Sequence, residues 1–282
     1  MENFAVFILT YKRPHRQLTY DFLRNHGYTG NIYFVVDDTD STIKELADAH
    51  KNDVKCKTLI FNKADIDKIT DTGLSNSLLN FAVFSRNAIE KFAADMNIKY
   101  FVMCDDDIRS VRFRYFEDNC LRSIVVTNLD EIFNEIKFFM EENDNVAMLS
   151  PAQSIMCIDK TFQRKIDSNR YRECATMFFR RSDITVSWKL NMLEDVITSY
   201  QLARRGYFVS IIDCIQCECE PFGGKRSGGN SDVYNLYSKL DCIFPIIIMP
   251  DSFVIKINNK INSFAKNQKY LCPVIVSSKF RS

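Results

Sequence analysis

Four short apolar runs recur through the first hundred residues: FAVFIL (Phe4–Leu9), IYFVV (Ile32–Val36), KTLIF (Lys57–Phe61) and KYFVMC (Lys99–Cys104). FAVFIL, continuous and without polar alternation, predicts a strand covered on both faces, and the other three read as further strands. Helical stretches separate them. Pro14 opens the first and Gly27 closes it, the usual start and stop residues. Ser41 is placed to cap a short helix carrying Ile43, Leu46 and Ala47. A longer helix sets Ile89, Phe92, Ala93 and Met96 at i, i+3, i+4 and i+7. Strand and helix in this order predict an α/β fold: a single Rossmann-like domain with a central, mostly parallel sheet flanked by helices.

The second half is less regular. Thr127-x-x-Asp130 has the form of a capping box before a helix striped by Leu129, Ile132, Phe133 and Ile136. NVAMLS (145–150), ATMFFR (175–180) and YFVSII (207–212) read as strands. Leu193, Val196, Ile197 and Tyr200 mark another helix, ended by Gly206. No linker, repeat or low-complexity block divides the chain, so 1–282 reads as one domain. Its 46% hydrophobic content is ample for a large core. A net charge of +1 does not advertise a nucleic-acid partner. Ten cysteines in 282 residues read as reduced thiols, not a disulfide scaffold. The first residues lack a basic n-region, and IFPIIIMP (243–250) is too short for a bilayer. The expectation is a soluble cytoplasmic protein without a membrane partner; oligomeric state is not legible.

Carboxylates crowd where strands end: Asp37 and Asp38 after the second run, Asp105, Asp106 and Asp107 after the fourth. Ligands of parallel α/β sheets bind beyond those strand ends. Adjacent like charges are costly unless something positive binds, and a hard cation such as Mg²⁺ or Mn²⁺ suits oxygen ligands. The competing reading is a solvated acidic turn. Glu194 and Asp195 form a second acidic signal in the first turn of a helix, where the dipole favours anions. The three histidines, His15, His26 and His50, all fall in early helices, so a carboxylate is the better general base. Asp195 is the candidate, with Glu194 orienting it or capping the helix.

Strand, Asp-Asp-Asp, then a later Glu-Asp opening a helix resembles a GT-A glycosyltransferase. The resemblance implies a nucleotide-sugar donor, a metal held by Asp105 and Asp107, donor contacts from Asp105 and Asp106, and an acidic base in the later motif. ILTYKRP (8–14) resembles the strand and loop that meet the nucleotide, which implicates Thr10, Tyr11 and Arg13. Asp37 and Asp38 correspond to an end facing base or ribose, and Arg86-Asn87 to a helical pair facing the nucleotide. More narrowly, the chain resembles the TET/JBP-associated glycosyltransferases, found mostly in bacteriophages. The similarity runs on through QCECEPFGGKRSGGNSDVY, PIIIMPDSFVIKI and CPVIVSSKF. It implies a nucleotide-sugar-binding half at 1–107 and an acceptor-binding half with a C-terminal extension at 108–282. It also implies sugar transfer, from a UDP-sugar, to a hydroxymethylated pyrimidine such as 5-hydroxymethylcytosine in phage DNA; a host-cell cytoplasm would follow. The alternative is a polysaccharide, lipid or protein acceptor. Many GT-A enzymes add a C-terminal histidine to the metal, and this sequence has none there, so a third ligand stays open.

Three further stretches carry weaker signals. Lys225 and Arg226, in FGGKRSGGN (222–230), suit a diphosphate or DNA phosphate, or an ordinary surface loop. Cys214-x-x-Cys217-x-Cys219 lacks a nearby histidine and reads as strand thiols. RSVRFRYF (109–116) interleaves arginine with aromatics, which fits an amphipathic strand better than a base-stacking surface. Arg180-Arg181 and Arg204-Arg205 would add positive surface.

Overall fold

The computed structural model describes residues 3–73, 82–153, 176–190, 193–220, 244–250, 253–258 and 270–275. A nine-stranded sheet runs through it in the order β3-β2-β1-β4-β8-β7-β9-β5-β6. The first four strands are β1 (Phe4–Leu9), β2 (Asn31–Asp37), β3 (Cys56–Phe61) and β4 (Tyr100–Asp105). They pair in parallel, as the apolar runs predict. The other five are β5 (Ile108–Glu117), β6 (Cys120–Val125), β7 (Val146–Gln153), β8 (Met177–Arg181) and β9 (Phe208–Cys219). Only β7–β9 among their pairings is parallel. A separate antiparallel hairpin joins β10 (Phe253–Asn258) to β11 (Tyr270–Ile275).

Helices cover both faces. They are α1 (Leu18–Asn25), α2 (Ile43–His50), α3 (Lys63–Asp67), α4 (Ala82–Asp95), α5 (Leu129–Glu142), α6 (Glu194–Arg204) and α7 (Phe244–Ile248). The period-2 geometry of a strand splits β1 between two cores. Phe4, Val6 and Ile8 meet Phe22 and Leu23 of α1 and Leu129, Phe133 and Met140 of α5. Ala5 and Phe7 meet Val83, Phe84, Ile89 and Ala93 of α4. This is why the run shows no alternation: both faces are dry.

Several local expectations shift. Helix α1 begins at Leu18 rather than Pro14. Gly27 still closes it, with φ +84°, and a side chain there would meet Thr127 O at 2.9 Å. Thr42, not Ser41, precedes α2, and the carboxylate of Asp40 accepts its N–H. The α5 cap is Asn128, which accepts from Glu131 N, so the box lies one residue later than expected; Asp130 instead bonds Thr29. RSVRFRYF lies within β5, as an amphipathic strand should, but turns back into β6 as a hairpin. Cys56, Cys104, Cys120, Cys214, Cys217 and Cys219 carry free thiols.

Arg180 and Arg181 do not add positive surface; both are buried. Arg180 Nη1 donates to Ala147 O at 2.6 Å, Nη2 to Ile184 O at 3.1 Å, and Nε to Glu90 Oε1 at 3.0 Å. Trp188 Nε1 donates to that same oxygen at 3.1 Å. The pair therefore ties α4, β7 and the segment after β8 together. Removing one partner of a buried ion pair strands the other charge, which costs about 3–5 kcal/mol. Arg180→Ala should lose that much in urea unfolding; a loss under about 1 kcal/mol would show that Glu90 is solvated.

Candidate active site

Because β3, β2, β1 and β4 are parallel neighbours, their C-terminal ends share one edge of the sheet. Every early candidate residue from sequence reasoning except Arg86 and Asn87 lies at or just past one of those ends. Asp37, buried, accepts from Thr39 N at 2.8 Å and Thr39 Oγ1 at 2.5 Å. Asp38, exposed, accepts from Asn62 Nδ2 at 2.7 Å and Lys63 N at 3.0 Å. Asp40 receives Lys12 N at 2.8 Å, which fastens the loop after β1. Tyr11 is half-buried there, with the Lys12 ammonium 5.0 Å from its ring centre.

The three consecutive aspartates divide their tasks. Asp106 turns inward, accepting from Thr10 Oγ1 at 2.7 Å and Arg13 Nη1 at 2.6 Å. Burial pushes its pKa up; Arg13 and the Thr10 hydroxyl oppose that rise. Gln17 Nε2 braces the arrangement by donating to Thr10 Oγ1 and Arg13 O. Thr19 holds the turn itself: its hydroxyl donates to Asp105 O at 2.6 Å and accepts Ile108 N at 2.9 Å. Asp105 keeps 31% of its side chain exposed and faces the other way, 3.4 Å from Arg86 Nη2. Asp107 is half-buried, and its carbonyl accepts Glu220 N at 3.0 Å.

The later acidic motif arrives on α6. Leu193, in the left-handed region with φ 62°, turns the chain so that Glu194 begins the helix pointing inward. Glu194 Oε1 accepts Arg86 Nε at 3.2 Å. Thus one guanidinium, 4% exposed, joins the carboxylates of the two acidic motifs. It lies 4.7 Å from the Phe178 ring centre and 5.1 Å from that of Trp188, a favourable cation–π setting. One cation does not neutralise the crowd. Burial pushes the pKa of Asp105 up to about 7 against the pull of Arg86, and Asp107, Glu194 and Asp106 push the same way. Glu194 also rises to about 7, through burial and Asp195, again opposed by Arg86. Asp195 is half-buried, and its Oδ1 accepts its neighbour's N–H, Val196 N, at 2.8 Å.

Asn87 is turned away from these carboxylates. Its amide donates to Trp188 O and Thr70 Oγ1, each at 3.0 Å, and its oxygen accepts Trp188 N at 2.9 Å. It therefore positions the indole that covers Arg86. Lys225 and Arg226 lie outside the described residues. Sequence reasoning missed Gln17, Thr19, Phe178 and Trp188, because no motif marks a lone brace or a ring set over a cation.

A protein-family model described as TET-Associated Glycosyltransferase matches residues 4–217. The chain belongs to that family. The matched stretch contains Thr10, Arg13, Arg86, the three aspartates, Glu194 and Asp195. No curated protein matches the chain. Among solved structures, S. aureus TarS 1-349 aligns at 13% identity and TM-score 0.44, over 86% of this chain and 65% of that one. The same protein in complex with UDP aligns at 12% identity and TM-score 0.41, over 86% and 65%. The galactosyltransferase LgtC, in complex with donor and acceptor sugar analogues, aligns at 11% identity and TM-score 0.35, over 63% and 58%. The chain thus spans just under two thirds of the first two chains. No helix among the described residues is long and apolar enough to cross a membrane.

The inward turn of Asp106 depends on its donors. Thr10→Val would remove one of them from a buried carboxylate, and hydrogen bonds to charged groups contribute about 1.5–3 kcal/mol. Urea unfolding should register a loss of that size, with native secondary structure retained by circular dichroism. No loss would mean that Arg13 alone holds Asp106.

Proposed function

We propose that the chain transfers a sugar from a nucleotide sugar, a UDP-sugar, to the hydroxymethyl group of a modified pyrimidine such as 5-hydroxymethylcytosine in DNA. The observation that carries the reading is the Arg86 bridge, which brings Asp105 of the first acidic motif and Glu194 of the second to one guanidinium. Family membership supports glycosyl transfer, and the name of the family supports a nucleic-acid acceptor.

Asp105 and Asp107 fit a hard divalent cation by donor chemistry and by charge. Both are oxygen donors at a strand end, and Asp105 sits in an excess of negative charge. Asp106 is committed to Thr10 and Arg13, and no group of three or more His, Cys, Asp or Glu among the described residues is arranged to hold a metal. Two protein carboxylates would leave room for phosphate oxygens, as Mg²⁺ sites commonly do. When bound, Mg²⁺ or Mn²⁺ supplies counter-charge to the departing diphosphate.

The chain's own groups do the rest. The acceptor hydroxyl oxygen forms a bond to the anomeric carbon as the bond to the diphosphate oxygen breaks, and the hydroxyl proton passes to Asp195. Arg86 holds Glu194 inward, and the base role is therefore assigned to Asp195, the half-buried carboxylate one residue on. Thr10, Tyr11, Arg13, Asp37 and Asp38 stand along the strand ends where the nucleotide would lie. A base in duplex DNA must be flipped out, or be single-stranded, to reach this edge. The net charge of +1 favours one second reading, the same chemistry on a polysaccharide, lipid or protein.

Three outcomes test these roles. Incubation with hydroxymethylated DNA, Mn²⁺ and a panel of UDP-sugars should yield a glycosylated nucleoside by mass spectrometry; unmodified nucleosides with every donor would remove the DNA reading. Asp107→Ala should abolish turnover, and chelator should do the same to the parent enzyme; full activity in chelator would remove the metal. Asp195→Asn should keep UDP-sugar affinity while transfer falls about 10²-fold or more. Transfer near the parental rate would exclude Asp195 as the base.

A further inference from the structure

A cavity runs along α6 from Thr198, one turn past Glu194, to Arg205 at the far end of the helix. Its volume of about 670 Å³ falls within the roughly 300–1,000 Å³ of small-ligand pockets. Lys189, Arg204 and Arg205 line it, and among the described residues no Asp or Glu does. Lys189 stands 3.8 Å from Asp71, outside the lining. Arg205 Nη1 donates to Thr185 O at 2.5 Å, which orients the rest of its guanidinium fork.

Thr198 supplies an independent observation. It is fully buried on this wall, and among the described residues its hydroxyl has no hydrogen-bond partner. An unpaired buried hydroxyl costs about 1–3 kcal/mol, so in a folded protein it calls for an explanation. Gln201, one turn further along the same helix face, also lines the space, and the half-buried Val186 and Ile248 give it an apolar side. Arg204 and Arg205 also lie where cations offset a helix dipole. That accounts for their charge, but for neither the cavity nor the unpaired hydroxyl.

We propose that this cavity is a second binding site, separate from the carboxylate cluster, for a nucleotide-sized phosphate ester. The phosphate meets Lys189 and Arg205, the Thr198 hydroxyl donates to a ligand oxygen, and the carbon body of the ligand covers Val186 and Ile248. A bare anion would leave that apolar side uncovered. At 1.5 Å rise per residue, Thr198 is about 6 Å and Arg205 about 16 Å along the helix axis from Glu194, so the basic end of the cavity, where the phosphate is placed, stands well apart from the carboxylates. The ligand is either a free nucleotide or one nucleotide of a nucleic-acid strand; the phosphate ester is common to both. Its occupancy would load the helix whose first turn carries Glu194 and Asp195. This inference does not depend on the glycosyl-transfer reading.

Titration calorimetry on the full chain in chelator-containing buffer tests it, with thymidine 5′-monophosphate, a thymidine trinucleotide and inorganic phosphate as probes. At least one nucleotide probe should bind saturably. Lys189→Glu combined with Arg205→Glu should weaken that binding at least about 10-fold, on the scale of charged hydrogen bonds. Thr198→Val guards against a folding artefact. It should weaken binding about 2–10-fold, the equivalent of one hydrogen bond, while the thermal midpoint stays level or rises. Asp105→Ala should leave this binding intact. The mononucleotide binding alone assigns a free nucleotide, the trinucleotide alone a strand, and either supports the site. No nucleotide binding, binding of inorganic phosphate only, unchanged affinity in both cavity variants, or loss in Asp105→Ala would each overturn it.

Discussion

A single buried guanidinium, Arg86, has to be matched by everything around it. An arginine nearly closed off from water is tolerable only when carboxylates and rings replace its solvent. Helix α4 supplies the arginine, β4 supplies Asp105, α6 supplies Glu194, and Phe178 and Trp188 supply the rings. These elements come from four separate parts of the chain. Fixing their meeting point fixes the relation between two acidic motifs almost ninety positions apart in sequence. The site is therefore a property of the tertiary fold, although each motif is local.

The same arrangement explains why the carboxylates are not all alike. Asp106 is satisfied by Thr10 and Arg13 and so belongs to the framework. Asp105 and Glu194 share one cation and are held with excess negative charge. Perturbation of this kind, from burial plus a specific charged partner at a strand end, is what functional sites tend to display. Beneath it, the parallel half of the sheet acts as a rigid base. Strand β1 has no wet face, and both of its sides are packed.

Much of the first half was legible because its signals are local and strong. FAVFIL or KYFVMC can bury both faces in only a few ways, and an aspartate run directly after such a strand falls where parallel sheets bind ligands. The antiparallel half was harder to read. RSVRFRYF shows a strand's alternation but nothing in its pattern announces β6 or the partner β9. Helix starts slipped by one to a few residues because Thr, Ser, Asn and Asp compete at neighbouring positions, as at Asn128 over Thr127. Arg180-Arg181 misled for a different reason. Charge predicts exposure until a buried acid such as Glu90 and nearby carbonyls offer partners, and those partners are remote in sequence.

A double-mutant cycle between Arg86→Met and Glu194→Gln, read by urea unfolding, tests most directly whether one buried cation couples the two motifs. Groups in direct contact show interaction energies of about 0.5–3 kcal/mol, whereas independent sites add within about 0.5 kcal/mol. Coupling above about 1 kcal/mol, with the double variant less destabilised than the sum of the singles, is the predicted result. Simple additivity would mean that Arg86 and Glu194 act separately, and would contradict the account of a single site.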